Sequence, residues 1–127
     1  HSPSKVIATT KAVKAQYPDK IVLACLELHT YSSLNADFLK EYQGALNAAD
    51  EAVVFYSPKA LEIKKLDALS ESQIFEAFGR KDLNVFTDSK DFQAFLKSKA
   101  YIDHVLLLMS SGNYGGLDFD EVKNWIQ

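Results

Sequence analysis

The sequence predicts an α/β fold of three layers, with a Rossmann-like, mainly parallel sheet flanked by helices. Three observations carry this reading. Apolar runs, above all residues 21–26, hold too few polar residues for half-exposed strands and read as strands buried on both faces, as in parallel sheets. Segments with apolar residues at helical spacing lie between those runs. Capping and breaking residues separate the two kinds of segment, so that strands alternate with helices and right-handed crossovers are implied.

In chain order, Ser2-Pro3 is a helix-start signal. Val6, Thr10, Val13 and Tyr17 follow at helical spacing, giving a helix over about 3–16 that ends before Pro18. The central strand covers about 20–27. Asn35 can cap a second helix that carries Phe38, Leu39, Tyr42, Leu46 and Ala49 on one face and closes at Asp50-Glu51. Residues 52–56 form a second buried strand, broken by Ser57-Pro58, and residues 59–69 read ambiguously. Ser70 and Gln73 fit a capping box for a short helix with Ile74, Phe75 and Phe78, stopped by Gly79. Val85-Phe86 is a brief third strand, and Asp88 or Ser89 caps a helix with Phe92, Phe95 and Leu96. Residues 104–109 are the most apolar strand, and after the loop 110–116 Asp118 caps a last helix.

The 127 residues suit one domain with one core. A net charge of -3, without a dense Lys/Arg patch, argues against a nucleic-acid partner. No apolar run reaches the roughly 20 residues that span a bilayer, and the start HSPSKV is not a signal peptide. The lone cysteine, Cys25, excludes an intrachain disulfide and a zinc pattern; core packing and a reduced, cytoplasmic setting fit it. A chain that lacks an initiator Met and enters a helix at once is expected to be a piece of a longer protein. No GxxxxGK[ST] phosphate loop, GxSxG or HExxH occurs, so no catalytic residue or metal ligand is assigned.

In open α/β sheets, ligands bind beyond the carboxyl ends of the strands. Polarity returns abruptly at the end of the central strand with Glu27, His29, Thr30, Tyr31, Ser32 and Ser33. His29 is a candidate donor to an anionic or peptide-like ligand; the alternative is a polar turn leading into the second helix. The loop with Ser110, Ser111, Gly112, Asn113, Gly115 and Gly116 follows the fourth strand, where glycines let backbone approach a ligand closely. A flexible turn is the alternative there. His104, at the start of a buried strand, reads as structural.

Three stretches carry a family resemblance. His1-Ser2-Pro3 is similar to the end of a D-Y-A-H-x-P motif. Leu26-Glu27-Leu28-His29-Thr30-Tyr31-Ser32 is similar to an F-Q-P-H-x-Y-[ST] segment. Residues 108–117, LMSSGNYGGL, are similar to a V-M-S-N-G-G-F-G-G-I loop. As an ordered set they resemble the C-terminal domain of the Mur ligases, the ATP-dependent amide ligases of peptidoglycan synthesis. The resemblance implies a three-domain parent whose first domain binds UDP-N-acetylmuramate and whose central domain binds ATP. Residues 1–127 would form the third, closing over the site and holding an amino-acid or peptide acceptor. ATP and Mg2+ would act mainly outside these residues, so the domain alone is expected to be inactive. The muramoyl carboxylate would be activated as an acyl phosphate, and attack by an amine would give an amide, ADP and phosphate. Within the family the loop is most like that of the murein-tripeptide ligases of cell-wall recycling, with the muramate–alanine ligases as the alternative. One departure bears on this choice: Thr30 and Ser33 stand where the alanine ligases carry arginines. The implied substrate-binding residues are His1, His29, Thr30, Tyr31, Ser32, Ser33 and the six named in the loop. The competing reading is a free-standing flavodoxin-like binding module.

Overall fold

Strand β1, Ile21–Leu28, runs through the interior, and every residue after Ile21 is buried. In the computed structural model, which describes residues 2–126, β1 lies between β2 (Glu51–Tyr56) and β4 (His104–Met109). Strand β3 (Asn84–Phe86) pairs with the far side of β2, giving the order β3-β2-β1-β4, and all three pairings are parallel. Alternation along the strands divides the core. Val22, Ala24, Leu26 and Leu28 of β1 pack with Val6 of α1 (Pro3–Gln16), Leu39 of α2 (Ala36–Leu39), Leu61 of α3 (Pro58–Ile63) and Ile74 and Phe78 of α4 (Glu71–Phe78). On the other face Leu23 and Cys25 pack with Phe92 and Leu96 of α5 (Ser89–Ser98) and Val122 of α6 (Phe119–Trp125). Each such aliphatic or aromatic side chain contributes roughly 1.5–3 kcal/mol by leaving water. The three-layer α/β expectation is borne out. Cys25 is fully buried, and burial pushes its thiol well above the ordinary range.

The caps explain where the helices begin. Asn35 Oδ1 accepts from the N–H groups of Asp37 and Phe38 (2.9 and 3.2 Å). Ser70 and Gln73 close both halves of a capping box (2.8 and 3.2 Å), and Gly79 ends α4 in the left-handed region. Asp88, rather than Ser89, caps α5, and Asp118 caps α6. The ambiguous stretch after Ser57 resolves into α3, with Pro58 at its first position, followed by irregular chain.

Two expectations are corrected. The second helix does not continue to Asp50. A single turn, α2, passes into a 3-10 turn over Lys40–Tyr42 and then into successive turns. Gly44 adopts φ +74°, and its N–H donates to the Phe78 carbonyl (3.1 Å) instead of continuing a helix. The turns still bring Tyr42, Ala45, Leu46 and Ala49 into the core, which is why the sequence shows helical spacing without a helix. Strand β4, for its part, is not fully buried. It has a strand on one side only among the described residues, and Val105 to Leu108 are half-buried.

The irregular segment after Gly44 is held by Arg80, whose side chain is only 11% exposed. Its guanidinium donates to the carbonyls of Leu46 (2.6 Å), Ala49 (2.8 Å) and Asp50 (2.8 Å) and pairs with Asp82 (2.7 Å). Asp50 in turn accepts from Lys14 and from the Val22 N–H (both 2.8 Å), contacts that hold its carboxyl below the usual range. Arg80→Ala leaves three carbonyls without their charged donor and is expected to cost about 2–3 kcal/mol in urea unfolding. Arg80→Lys should recover less than half of that, because a point ammonium does not reproduce the fork. Equal stability of Arg80→Ala and the parent chain would remove Arg80 from this role.

The topology marks one edge of the sheet where ligands commonly bind. From β1 the chain leaves toward α2 on one face of the sheet; from the adjacent β4 it leaves toward α6 on the other. The strand order therefore switches direction between β1 and β4, and the connections diverge there to leave a crevice at the carboxyl ends.

Candidate functional site at the β1–β4 switch point

The crevice is built around a buried carboxylate. The Glu27 side chain, at the end of β1, is 3% exposed. Its Oε1 accepts from the Ser110 hydroxyl and from the Tyr114 N–H (2.9 Å). Its Oε2 lies 3.7 Å from His29 Nδ1. One side chain of β1 thus ties together the two segments singled out in the sequence. Burying a carboxylate is tolerable only when donors of this kind surround it.

The loop after β4 closes down onto Glu27 because of Gly112. A Cβ at that position would come within 3.0 Å of Glu27 Oε1 and 3.3 Å of His29 Cγ and Nδ1. The Gly112 N–H donates to Ser110 Oγ (2.7 Å), so the Ser110 hydroxyl relays backbone to carboxylate. Asn113 turns the chain by accepting from the N–H groups of Gly116 and Leu117. Tyr114 is the anchor: it has no exposed surface, and its ring centroid lies 5.0 Å from that of Phe92 and 5.9 Å from that of Phe55. Its hydroxyl lies 2.8 Å from the Cys25 carbonyl and 3.0 Å from the Met109 carbonyl, spanning β1 and β4 as a donor. Burial pushes its phenol well above the ordinary range.

The predicted residues separate into groups. His29 is half-exposed and lines a hollow of about 180 Å³ with Glu27, Asn113 and Gly115 on one side and Lys59 and Ile63 of α3 on the other. Ser110 and Gly112 lie beneath it, holding Glu27. Ser111 and Gly116 are exposed on the loop. Thr30 and Ser33 bond to each other through hydroxyl and backbone (3.0 to 3.1 Å), and Ser33 is buried, so this pair shapes the turn. Tyr31 is 62% exposed, with Lys64 Nζ 4.6 Å from its ring centroid, and Tyr31 and Ser32 border a second, wider hollow of about 650 Å³. His1 lies outside the described residues. His104 sits at the opposite end of the sheet, its Nδ1 2.7 Å from the Ile102 carbonyl and its Nε2 3.5 Å from Glu51.

Glu27 stood in the polar cluster noted at the end of β1 but was assigned no role from the sequence, and Tyr114, Lys59 and Ile63 were not among the expected site residues. A lone acid ending an otherwise apolar strand was a usable signal for Glu27, because a carboxylate carried into a core must recruit donors. Nothing in the sequence places α3 beside the loop after β4. Among the described residues no group of three or more His, Cys, Asp or Glu could hold a metal ion, and no site for Mg2+ is assigned here. The described residues also contain no helix long and apolar enough to cross a membrane.

No family model matches the chain. Over 125 residues it is 28% identical to the UDP-N-acetylmuramate–L-alanine ligase of Agathobacter rectalis, covering 97% of this chain and 27% of that protein. A 54-residue stretch, 42% of this chain, is 39% identical to the enzyme of the same name from Limosilactobacillus reuteri, of which it spans 12%. In fold the chain is similar to a solved domain assigned to a UDP-N-acetylmuramate:L-alanyl-γ-D-glutamyl-meso-diaminopimelate ligase of Haemophilus ducreyi 35000HP. That superposition has a TM-score of 0.59 at 19% identity, covering 98% of this chain and 85% of that one. The chain resembles the Mur ligases. The likeness stated from the motifs is thus borne out along nearly the whole sequence, although the chain spans about a quarter of the length of the first relative. Two of the three Mur ligase-like stretches, one ending β1 and one ending β4, meet at the switch point around Glu27.

Proposed function

We propose that the chain is the C-terminal, acceptor-binding domain of a three-domain, ATP-dependent ligase of peptidoglycan precursors. The acceptor we assign is a murein tripeptide, joined to UDP-N-acetylmuramate during cytoplasmic cell-wall recycling. The observation that carries the proposal is the meeting of His29 and the glycine-rich loop over one buried carboxylate at the strand switch point. That edge offers an acceptor a polar ring nitrogen, the Asn113 amide and bare backbone, bordered by Lys59 and Ile63. Its work is to bind and orient the attacking amine, which converts an encounter into a near-unimolecular step. ATP and Mg2+ are assigned to the domains outside this chain, together with the UDP-sugar.

The tripeptide assignment rests on the turn after β1. Thr30 and Ser33 stand at the positions where arginines would otherwise project, and their hydroxyls are spent on each other. The turn thus carries no cation of its own toward an acceptor carboxylate, and the open space at Gly116, where a Cβ would meet nothing within 4 Å, leaves room for a longer chain. A second reading, with L-alanine as acceptor, is favoured by the names of the two curated relatives. Phosphate release by the full-length protein, supplied with UDP-N-acetylmuramate, ATP and either acceptor, separates them. Higher kcat/KM for the tripeptide is the expected result. The reverse preference assigns alanine, and turnover of neither acceptor overturns the ligase proposal.

A further inference from the structure

We infer that Glu27 is a positioning residue that selects the tautomer of His29: protonated at Nδ1, with Nε2 left as an acceptor for an amine or ammonium group. The carboxylate is itself fixed. Ser110 and the Tyr114 N–H both bind Oε1, which turns Oε2 toward the imidazole. At 3.7 Å an unprotonated Nδ1 would set a lone pair against a buried negative charge, whereas an N–H there meets its complement. Which nitrogen of a neutral histidine carries the proton is set by what the other faces, and a carboxylate behind Nδ1 is a recurrent device for doing so. The ring has little freedom to swivel away, because the Gly112 backbone stands against the same edge, close enough that a Cβ would meet Cγ and Nδ1 at 3.3 Å. Nε2 has no hydrogen-bond partner among the described residues, and His29 borders the 180 Å³ hollow. A ligand that brings N–H donors therefore fits this ring better than one that brings only acceptors. The use of that preference, holding the amine of an acceptor, rests on the ligase reading; the tautomer itself does not.

The test follows that division. Long-range 1H–15N spectra of the chain at about pH 8, above the ordinary imidazole range, report which nitrogen is protonated, with His29 assigned by the signals lost in His29→Ala. The expected pattern is a protonated Nδ1 and a free Nε2. Glu27→Gln keeps an oxygen for Ser110 and Tyr114 but removes the charge facing the ring, and should shift His29 toward the Nε2-protonated form. An Nε2-protonated His29 in the unaltered chain overturns the inference even if the variant does not fold. A tautomer unchanged in a folded Glu27→Gln overturns it as well. In the full-length protein Glu27→Gln should raise KM for the acceptor about tenfold while KM for UDP-N-acetylmuramate stays put. Equal changes in both would reduce Glu27 to a structural role. If the parent protein is no ligase, the spectra still decide the tautomer.

Discussion

Tyr114→Ala is expected to lose about 3–5 kcal/mol of folding stability, measured as a shift of the urea midpoint at unchanged slope. The residue is fully buried between Phe55 and Phe92, so truncation opens a cavity where two aromatic neighbours cannot readily collapse. The same substitution removes the hydroxyl that lies within hydrogen-bond distance of the Cys25 and Met109 carbonyls. Tyr114→Phe isolates the second effect and should cost only about 1 kcal/mol. Since domains of this size have roughly 5–15 kcal/mol to lose, the alanine variant approaches the limit of folding. A loss below about 1 kcal/mol in Tyr114→Ala would show that the loop after β4 is held by something else.

His29→Ala should behave in the opposite way. Its side chain is 45% exposed and lies outside both apolar clusters, so the urea midpoint should move by less than about 1 kcal/mol. Under the proposed ligase function, kcat/KM of the full-length protein for the acceptor should fall on the order of a hundredfold, the scale of losing one well-placed positioning group. If residual activity merely follows the fraction folded, His29 is part of the scaffold and not of the site.

The two variants divide what the sequence could reveal from what it could not. Strand positions were legible because β1 and β2 are buried on both faces, which leaves short continuous apolar runs without the polar stripe of an amphipathic helix. Caps were legible because Asn35, Ser70 and Asp118 each act on N–H groups within three residues. The second helix was misread because spacing records which residues face the core, and the turns around Gly44 present Tyr42 and Leu46 as a helix would. The exposure of β4 follows from strand order, a long-range property that its own six residues do not encode. The site divides in the same manner. His29 and the loop 110–116 were each visible at a strand end. Their union through Glu27 depends on β1 and β4 being neighbours, although 83 residues separate Ser110 from Glu27.

The burial of Cys25 gives this chain its own stopwatch. A thiol with no exposed surface, packed between Leu23 and the α5 side of the sheet, is closed to alkylating reagents while the sheet is intact. Its reaction must wait for an opening of the central strand, the element least able to fray on its own. With reclosing faster than alkylation, the labelling rate reports the equilibrium population of opened molecules. No second cysteine competes for the reagent. Arg80 lies at one end of the sheet and Tyr114 at the other, so the same clock, read in variants of each, tells whether the two ends give way together.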